Sequence, residues 1–331
     1  MNVACIFRLC HHRKIFDLFC LLNRFGYDSE TDPRGFSPVR QFMRKQLFST
    51  VREDKELRAF VNKLFTDWPW IYLLQMVVLK ISHPPEETLI SRIRETVDQL
   101  RSYLPIEVSS ERLDWIEQTL LMLNRFSNIC PTTRLWKTYL KESQIPQSAQ
   151  HTGIRALMKA TKLFTPLKLL SIEVIVNDLQ PFHMANQFRI NDCIVIVMGS
   201  LKKRYSRVIQ HEILHLLVEH IVENVELNYK ELGSLFQPLK RDLIASGYWA
   251  IDDHYGIRRA IIEHFVRSLV IFLNPTPTSR ERNIQWDEAQ GFRYIRILVS
   301  FWEQKLKQHG FDSKLASAAI KMLFRKSKIK V

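Results

Sequence analysis

Glycine is scarce in this chain, with 9 in 331 residues, and so is cysteine, with 5. So little glycine excludes collagen-like repeats and flexible low-complexity arrays, and 46 % hydrophobic residues exclude a disordered chain. The cysteines, at 5, 10, 20, 130 and 193, are odd in number, scattered and without a CxxC pair, which argues against a disulfide framework. Cys5, Cys10, His11 and His12 lie close together in sequence, but their spacing fits no structural zinc pattern, and free cysteines on an amphipathic helix are the simpler reading. Long apolar runs are missing too. No charge-free apolar interval reaches the ~18 residues that a membrane-spanning helix needs. The opening residues carry Arg8, Arg13, Lys14 and Asp17, so no secretory signal is expected and the location expected is cytoplasmic.

Acidic residues are outnumbered, 34 against 48 Lys and Arg, for a formal net charge of +14. The basic residues concentrate at Lys202-Lys203-Arg204, at Arg258-Arg259 and in the tail from Lys321 to Lys330. Such surfaces attract nucleic acid or other anions through long-range fields. No helix-turn-helix, zinc-finger or RNP-type motif accompanies them, so a nucleic-acid partner has no motif support. A solvated basic surface that favours acidic peptides is the preferred reading.

Helical patterning dominates what is present. Helices are expected near Arg13 to Arg24, Pro38 to Arg52, Lys55 to Phe65 and Trp70 to Lys80, then from Pro85 to Leu104 after the break at His83-Pro84-Pro85. Another runs from Ser109 to about Asn128. Ser171 to Val176 and Phe188 to Met198, which ends in the β-branched run Ile194 to Val197, read as two strands. Gln144 to Gly153 is the most linker-like stretch, so the boundary is placed there: residues 1–150 as a helical region and 151–331 as a second domain. Asp287 to Gln308 and Ser313 to Phe324 read as C-terminal helices, with Trp286, Phe292, Phe301 and Trp302 as core aromatics.

One segment names chemistry. His211-Glu212-Ile213-Leu214-His215 (HEILH) matches the HExxH pattern, and it lies inside Tyr205 to Val222, whose apolar positions follow helical spacing without Gly or Pro. Residues four apart on a helix are about 40° apart around its axis, so both imidazoles can address one Zn²⁺ while Glu212 serves as general base. A catalytic zinc needs a third protein ligand and an open position. The metzincin pattern would require Gly at 218 and His at 221, where this chain has Val218 and Ile221. His220 is about half a turn away around the helix and reads as packed or exposed.

Two positions compete for the third ligand. Glu263 lies in the middle of the apolar run Ile257 to Phe272, where an unpaired buried carboxylate would be costly and a metal is one suitable partner. Its alternative is a surface pair with Arg267 at i, i+4. Asp252-Asp253-His254-Tyr255-Gly256 resembles the DxxYG of the aspzincins, which would make Asp252 the ligand, though the Gly-Thr that precedes that motif is absent. His254 and Tyr255 are neutral donors suited to stabilise an oxyanion near the metal. A helix-capping turn is the bland reading of that loop.

The order strand, short turn, HExxH helix resembles the zincin metallopeptidases, in which a small twisted sheet packs on the HExxH helix and its edge strand holds extended substrate by strand addition. HEILH with the later EHFVR segment resembles, more narrowly, a gluzincin-like group of bacterial proteins with a Glu and a downstream Arg on one helix. The stretch Phe16 to Leu47, with FGYD and SPVRQFMRKQL, is similar to the opening of those proteins. The resemblance implies an α+β, predominantly helical fold: a zincin-like sheet on the HExxH helix and an N-terminal helical region. The wider zincin resemblance implies a zinc metallopeptidase with a peptide or protein substrate, His211, His215 and Glu263 as ligands and Glu212 as base, while the bacterial group implies no known substrate. A catalytically silent zincin scaffold with a binding or regulatory role is the alternative, against which the intact HExxH side chains argue.

Overall fold

The computed structural model describes residues 6–26, 37–64, 69–80, 110–164, 171–181, 185–190, 193–200, 205–245, 254–274, 276–306 and 310–327. It is mostly helical with a small mixed sheet of four strands among the described residues. No helix among these residues is long and apolar enough to cross a membrane. The expected helix from Pro85 to Leu104 lies outside the described residues. The chain divides into two compact units that are discontinuous in sequence. The first is Met1–Gln150 with Leu169–Lys203, and the second is His151–Lys168 with Arg204–Val331.

In the first unit the sheet contains β1 (Ile6–Cys10), β2 (Ser171–Val176), β3 (Ala185–Ile190) and β4 (Cys193–Met198), in the spatial order β1-β2-β4-β3. β1, β2 and β4 are parallel, and β3 pairs antiparallel with β4 along one edge. Two strands were expected and four are present. β1 carries little signal of its own because its partner lies some 160 residues away, and β3 and β4 follow one another so closely in sequence that Phe188 to Met198 looks like a single strand. β4 reads as a near-continuous apolar run because both of its faces are buried, the usual state of a parallel strand, whereas β2 keeps the partly buried Ser171 and Glu173 on one face.

Ile175, Phe188, Val195 and Val197 share one core with the helices α1 (Arg13–Phe25), α2 (Pro38–Thr50), α3 (Lys55–Leu64), α4 (Pro69–Lys80), α5 (Ser110–Ile129) and α6 (Thr132–Glu142). α1 is amphipathic and is buried from Ile15 to Phe25 apart from Asp17, with the polar Asn23 and Arg24 buried among its apolar residues. α2 starts where Ser37 accepts the Arg40 amide at 2.9 Å, with Pro38 opening the first turn. The end of the sheet is fastened by His11, whose Nδ1 lies 2.9 Å from the Val176 carbonyl and Nε2 2.6 Å from that of Ser143.

That ring is therefore engaged on both nitrogens. Cys10 sits on a strand rather than on a helix, and its thiol donates to Glu173 at 3.0 Å. Burial, with Glu173 beside it, pushes the thiol up to about 12, so it stays protonated and makes a poor ligand. Cys5 lies outside the described residues. The stretch Gln144 to Gly153 also departs from expectation, since α7 (Gln147–Thr161) runs through it. Gln147, Ser148 and His151 occupy exposed positions of this helix, a pattern that mimics a linker, while Gln150 is half-buried and bonds the backbone of Phe7 and Leu9.

The second unit is helical: α8 (Tyr205–Glu223), α9 (Tyr229–Phe236), a 3-10 turn (Gln237–Leu239), α10 (Lys240–Ala245), α11 (His254–Leu273), α12 (Pro277–Ala289), α13 (Ile295–Lys305) and α14 (Ser313–Ser327). α11 is the central helix, in contact with α8, α9, α12 and α13. Asn274, just past its end, donates to Gln210 near the start of α8 at 2.8 Å, whereas its middle meets α8 further along at His215, so the two helices run antiparallel. Phe265, Trp302 and Phe311 meet edge to face in the core, and the Trp302 indole donates to Ser268 at 2.7 Å.

Two C-terminal expectations need correction. The single helix expected from Asp287 to Gln308 is two helices, α12 and α13, separated by a turn at Gly291 with φ +96°. Trp286 is no core residue: it is 65 % exposed, while Phe292 and Trp302 are buried. The helical stripe misled because α12 ends only three residues after Trp286.

Candidate metal centre

The donor atoms of His211, His215 and Glu263 lie within 4.8 Å of one another, the one such group among the described residues. α8 supplies the two histidines one turn apart, because it buries Ile209, Ile213, Leu217 and their neighbours and leaves the HExxH face toward α11. The two imidazole Nε2 atoms are 3.0 Å apart. Glu263 Oε2 lies 2.9 Å from His215 Nε2, and Oε1 lies 3.6 Å from His211 Nε2. Two imidazole lone pairs facing each other so closely repel, so a proton or a cation has to lie between them.

These separations fit a metal. Bonds of about 2.0–2.1 Å to a tetrahedral zinc place neighbouring donors about 3.3 Å apart, close to the 3.0 Å between the two Nε2 atoms and the 2.9 Å from His215 Nε2 to Glu263 Oε2. Two nitrogens and one carboxylate are also a known donor set of catalytic zinc. Behind His215, Glu219 Oε1 approaches Nδ1 at 3.6 Å, on the side from which a carboxylate favours the tautomer that leaves Nε2 free for a metal.

Electrostatics separates the four central groups. Burial pushes His211 down to about 3, so it is a neutral lone-pair donor. Burial also pushes His215 down, but Glu219 and Glu263 outweigh it and lift that ring to about 10. Burial would raise Glu263, yet Arg267, His211 and His215 hold it well below the usual carboxylate range. Burial lifts Glu212 to about 8, and it has no hydrogen bond or ion pair among the described residues. A buried carboxyl group without a partner costs stability, and such groups concentrate at functional sites.

Around this cluster, Arg267 Nε donates to Glu263 Oε1 at 2.5 Å and Nη1 donates to Asp287 Oδ1 at 2.7 Å. The Glu263–Arg267 spacing was legible as an i, i+4 pair, but it is buried rather than at the surface. Glu219 could have been found by the same spacing from His215. Asp287 could not, because it comes from another helix 20 residues beyond Arg267. His264 points away from the metal group. Its ring is buried among Phe236, Phe292 and Tyr294 and bonds the Ala260 carbonyl at 2.7 Å.

Of the other expected site residues, His254 is not brought to the cluster. His254 opens α11 instead of lying in a loop. It is exposed, it stacks on Tyr229 with ring centroids 4.2 Å apart, and it precedes Glu263 by nine residues, about 13 Å along the helix axis. Tyr255 occupies the same first turn, with its side chain outside the described residues, and Asp252 also lies outside them. His220 is exposed. Of the basic clusters, Lys202-Lys203-Arg204 lies outside the described residues, and Arg258 donates to the Tyr229 hydroxyl at 2.9 Å. Comparison with protein-family models, curated proteins and solved structures finds no match to this chain.

Proposed function

We propose that this chain is a zinc-dependent metallopeptidase. The observation that carries the reading is the convergence of His211, His215 and Glu263 beside a buried Glu212 that makes no hydrogen bond or ion pair among the described residues. His211 and His215 would hold the metal through Nε2 and Glu263 through a carboxylate oxygen. When bound, zinc supplies a Lewis acid that polarises a carbonyl and brings the pKa of a water toward ~7.

Glu212 handles the proton. Its carboxyl group, lifted to about 8, is close enough to neutral pH to take a proton from the attacking water and return it to a leaving amine. Glu219 orients His215 from behind, and Arg267 keeps Glu263 ionised before metal arrives. The peptide class of substrate rests on the resemblance of HEILH and EHFVR to the zincins.

Metal content and hydrolysis, measured together, test this. Purified protein should carry about one zinc per chain, as a three-ligand site implies. Glu212→Gln should keep the metal and lose at least about 10²-fold in peptide hydrolysis, the usual range for a general base. His215→Ala should lose both. Protein that stays metal-free with zinc supplied ends the reading, and full activity in Glu212→Gln removes that residue from the mechanism.

A further inference from the structure

We propose that Asp287, acting through Arg267, makes Glu263 a one-oxygen ligand and so sets both the affinity of the site for zinc and its coordination number. The inference rests on the metal site proposed above. Glu263 has two oxygens with different occupations: Oε1 receives Arg267 Nε at 2.5 Å, while Oε2 faces His215 Nε2 at 2.9 Å. With Oε1 taken, the carboxylate offers the metal one oxygen, which suits a four-coordinate zinc and disfavours larger cations that take carboxylates bidentately.

Arg267 can hold Oε1 only if its own guanidinium is fixed, and two of the described groups help to fix it. Nη1 donates to Asp287 Oδ1 at 2.7 Å, and the guanidinium carbon lies 4.2 Å from the centroid of the Phe292 ring. Both groups belong to one turn. The Asp287 carbonyl accepts the amides of Gln290 at 3.1 Å and Phe292 at 3.0 Å, so the anchoring carboxylate and the ring are set by the same stretch of backbone. Charge gives Asp287 a second role. Arg267 alone would neutralise Glu263 and weaken its pull on a cation; Asp287 restores a net charge of −1 to the trio, from −1, +1 and −1.

Asp287 is a positioning residue with no contact to the donor atoms, so its test reads the metal rather than turnover. Zinc affinity of the full chain is measured by competition with a chromophoric chelator, and coordination by the visible absorption of the cobalt(II)-substituted protein. Asp287→Asn should weaken zinc binding about 10- to 100-fold, the range found for partners of metal ligands. Its cobalt bands should lose intensity as the coordination number rises. Arg267→Lys, which keeps the charge and loses the fork, should move both readouts the same way and decides the matter if Asp287→Asn does not fold. Zinc affinity within about twofold of the parent and an unchanged cobalt spectrum overturn the proposal, even if the variant melts lower, since an anchor that only stabilises the fold would do that. Parent protein that binds zinc while His215→Ala does not keeps the site standing in that event; a parent that binds no zinc removes site and proposal together.

Discussion

Metal uptake at His215 has to displace a proton. Glu219 and Glu263 overcome the downward push of burial and lift this ring to about 10, so at neutral pH the metal-free protein holds a proton where the metal would sit. His211, pushed down to about 3 by burial, has none to give. Glu212, raised by burial to about 8, can lose another once a cation is near. The sign follows: protons leave as metal binds, so affinity rises with pH, by about tenfold per unit for each proton released, up to about pH 10 for His215 and up to about pH 8 for Glu212. Calorimetry of zinc binding in buffers of different ionisation enthalpy should count between one and two protons released. A count of zero at pH 7 would contradict this assignment of His215. His211 and His215 were legible as a pair because a helix writes its neighbours into sequence at i, i+4, and Glu263 as a carboxylate inside an apolar run; Asp287 was not, because only tertiary packing brings it to Arg267.

Elements show the same division. α1, α2 and α3 follow from apolar spacing and, for α2, from the Ser37-Pro38 start. β1 does not, since a five-residue strand with an arginine in its centre gains its identity only from β2. β3 keeps polar residues such as Asn186 and Gln187 because it is an edge. The turn between α12 and α13 hangs on Gly291, whose φ of +96° strains any side chain and whose added Cβ would come within 3.0 Å of Asp242 Cβ and the Leu243 amide nitrogen. Gly291→Ala should therefore destabilise the protein by about 1–3 kcal/mol, the usual cost of such backbone strain. Thermal unfolding reads this as a fall of roughly 5 °C. An unchanged melting temperature would mean that the turn tolerates a side chain that this geometry excludes.

Over the whole chain, the division that sequence cannot show is the return of residues 169–203 to the N-terminal unit. β2, β3 and β4 belong with residues 1–150 and α8 with the second unit, and no change of composition marks either crossing. Part of the basic surface is paired locally, as where Arg296 meets Glu281 and Glu288 and Arg125 meets Asp54 and Glu56, but exposed pairs of this kind are screened by solvent and contribute little to stability. A buried metal would contribute more. All its donors, with Arg267 and Asp287, come from the second unit, so the free energy of binding enters there. At a free zinc concentration of about 1,000 times Kd, binding stabilises the folded state by about 4 kcal/mol. Hydrogen exchange should then slow at the amides of α8, α11 and α12, which hold the donors and the anchoring carboxylate. Amides of β1, β2 and β4 should exchange at the same rate with and without zinc, since no donor lies on them. Equal slowing in both sets would show that the two units open as one, and slowing confined to the strands would place the metal elsewhere.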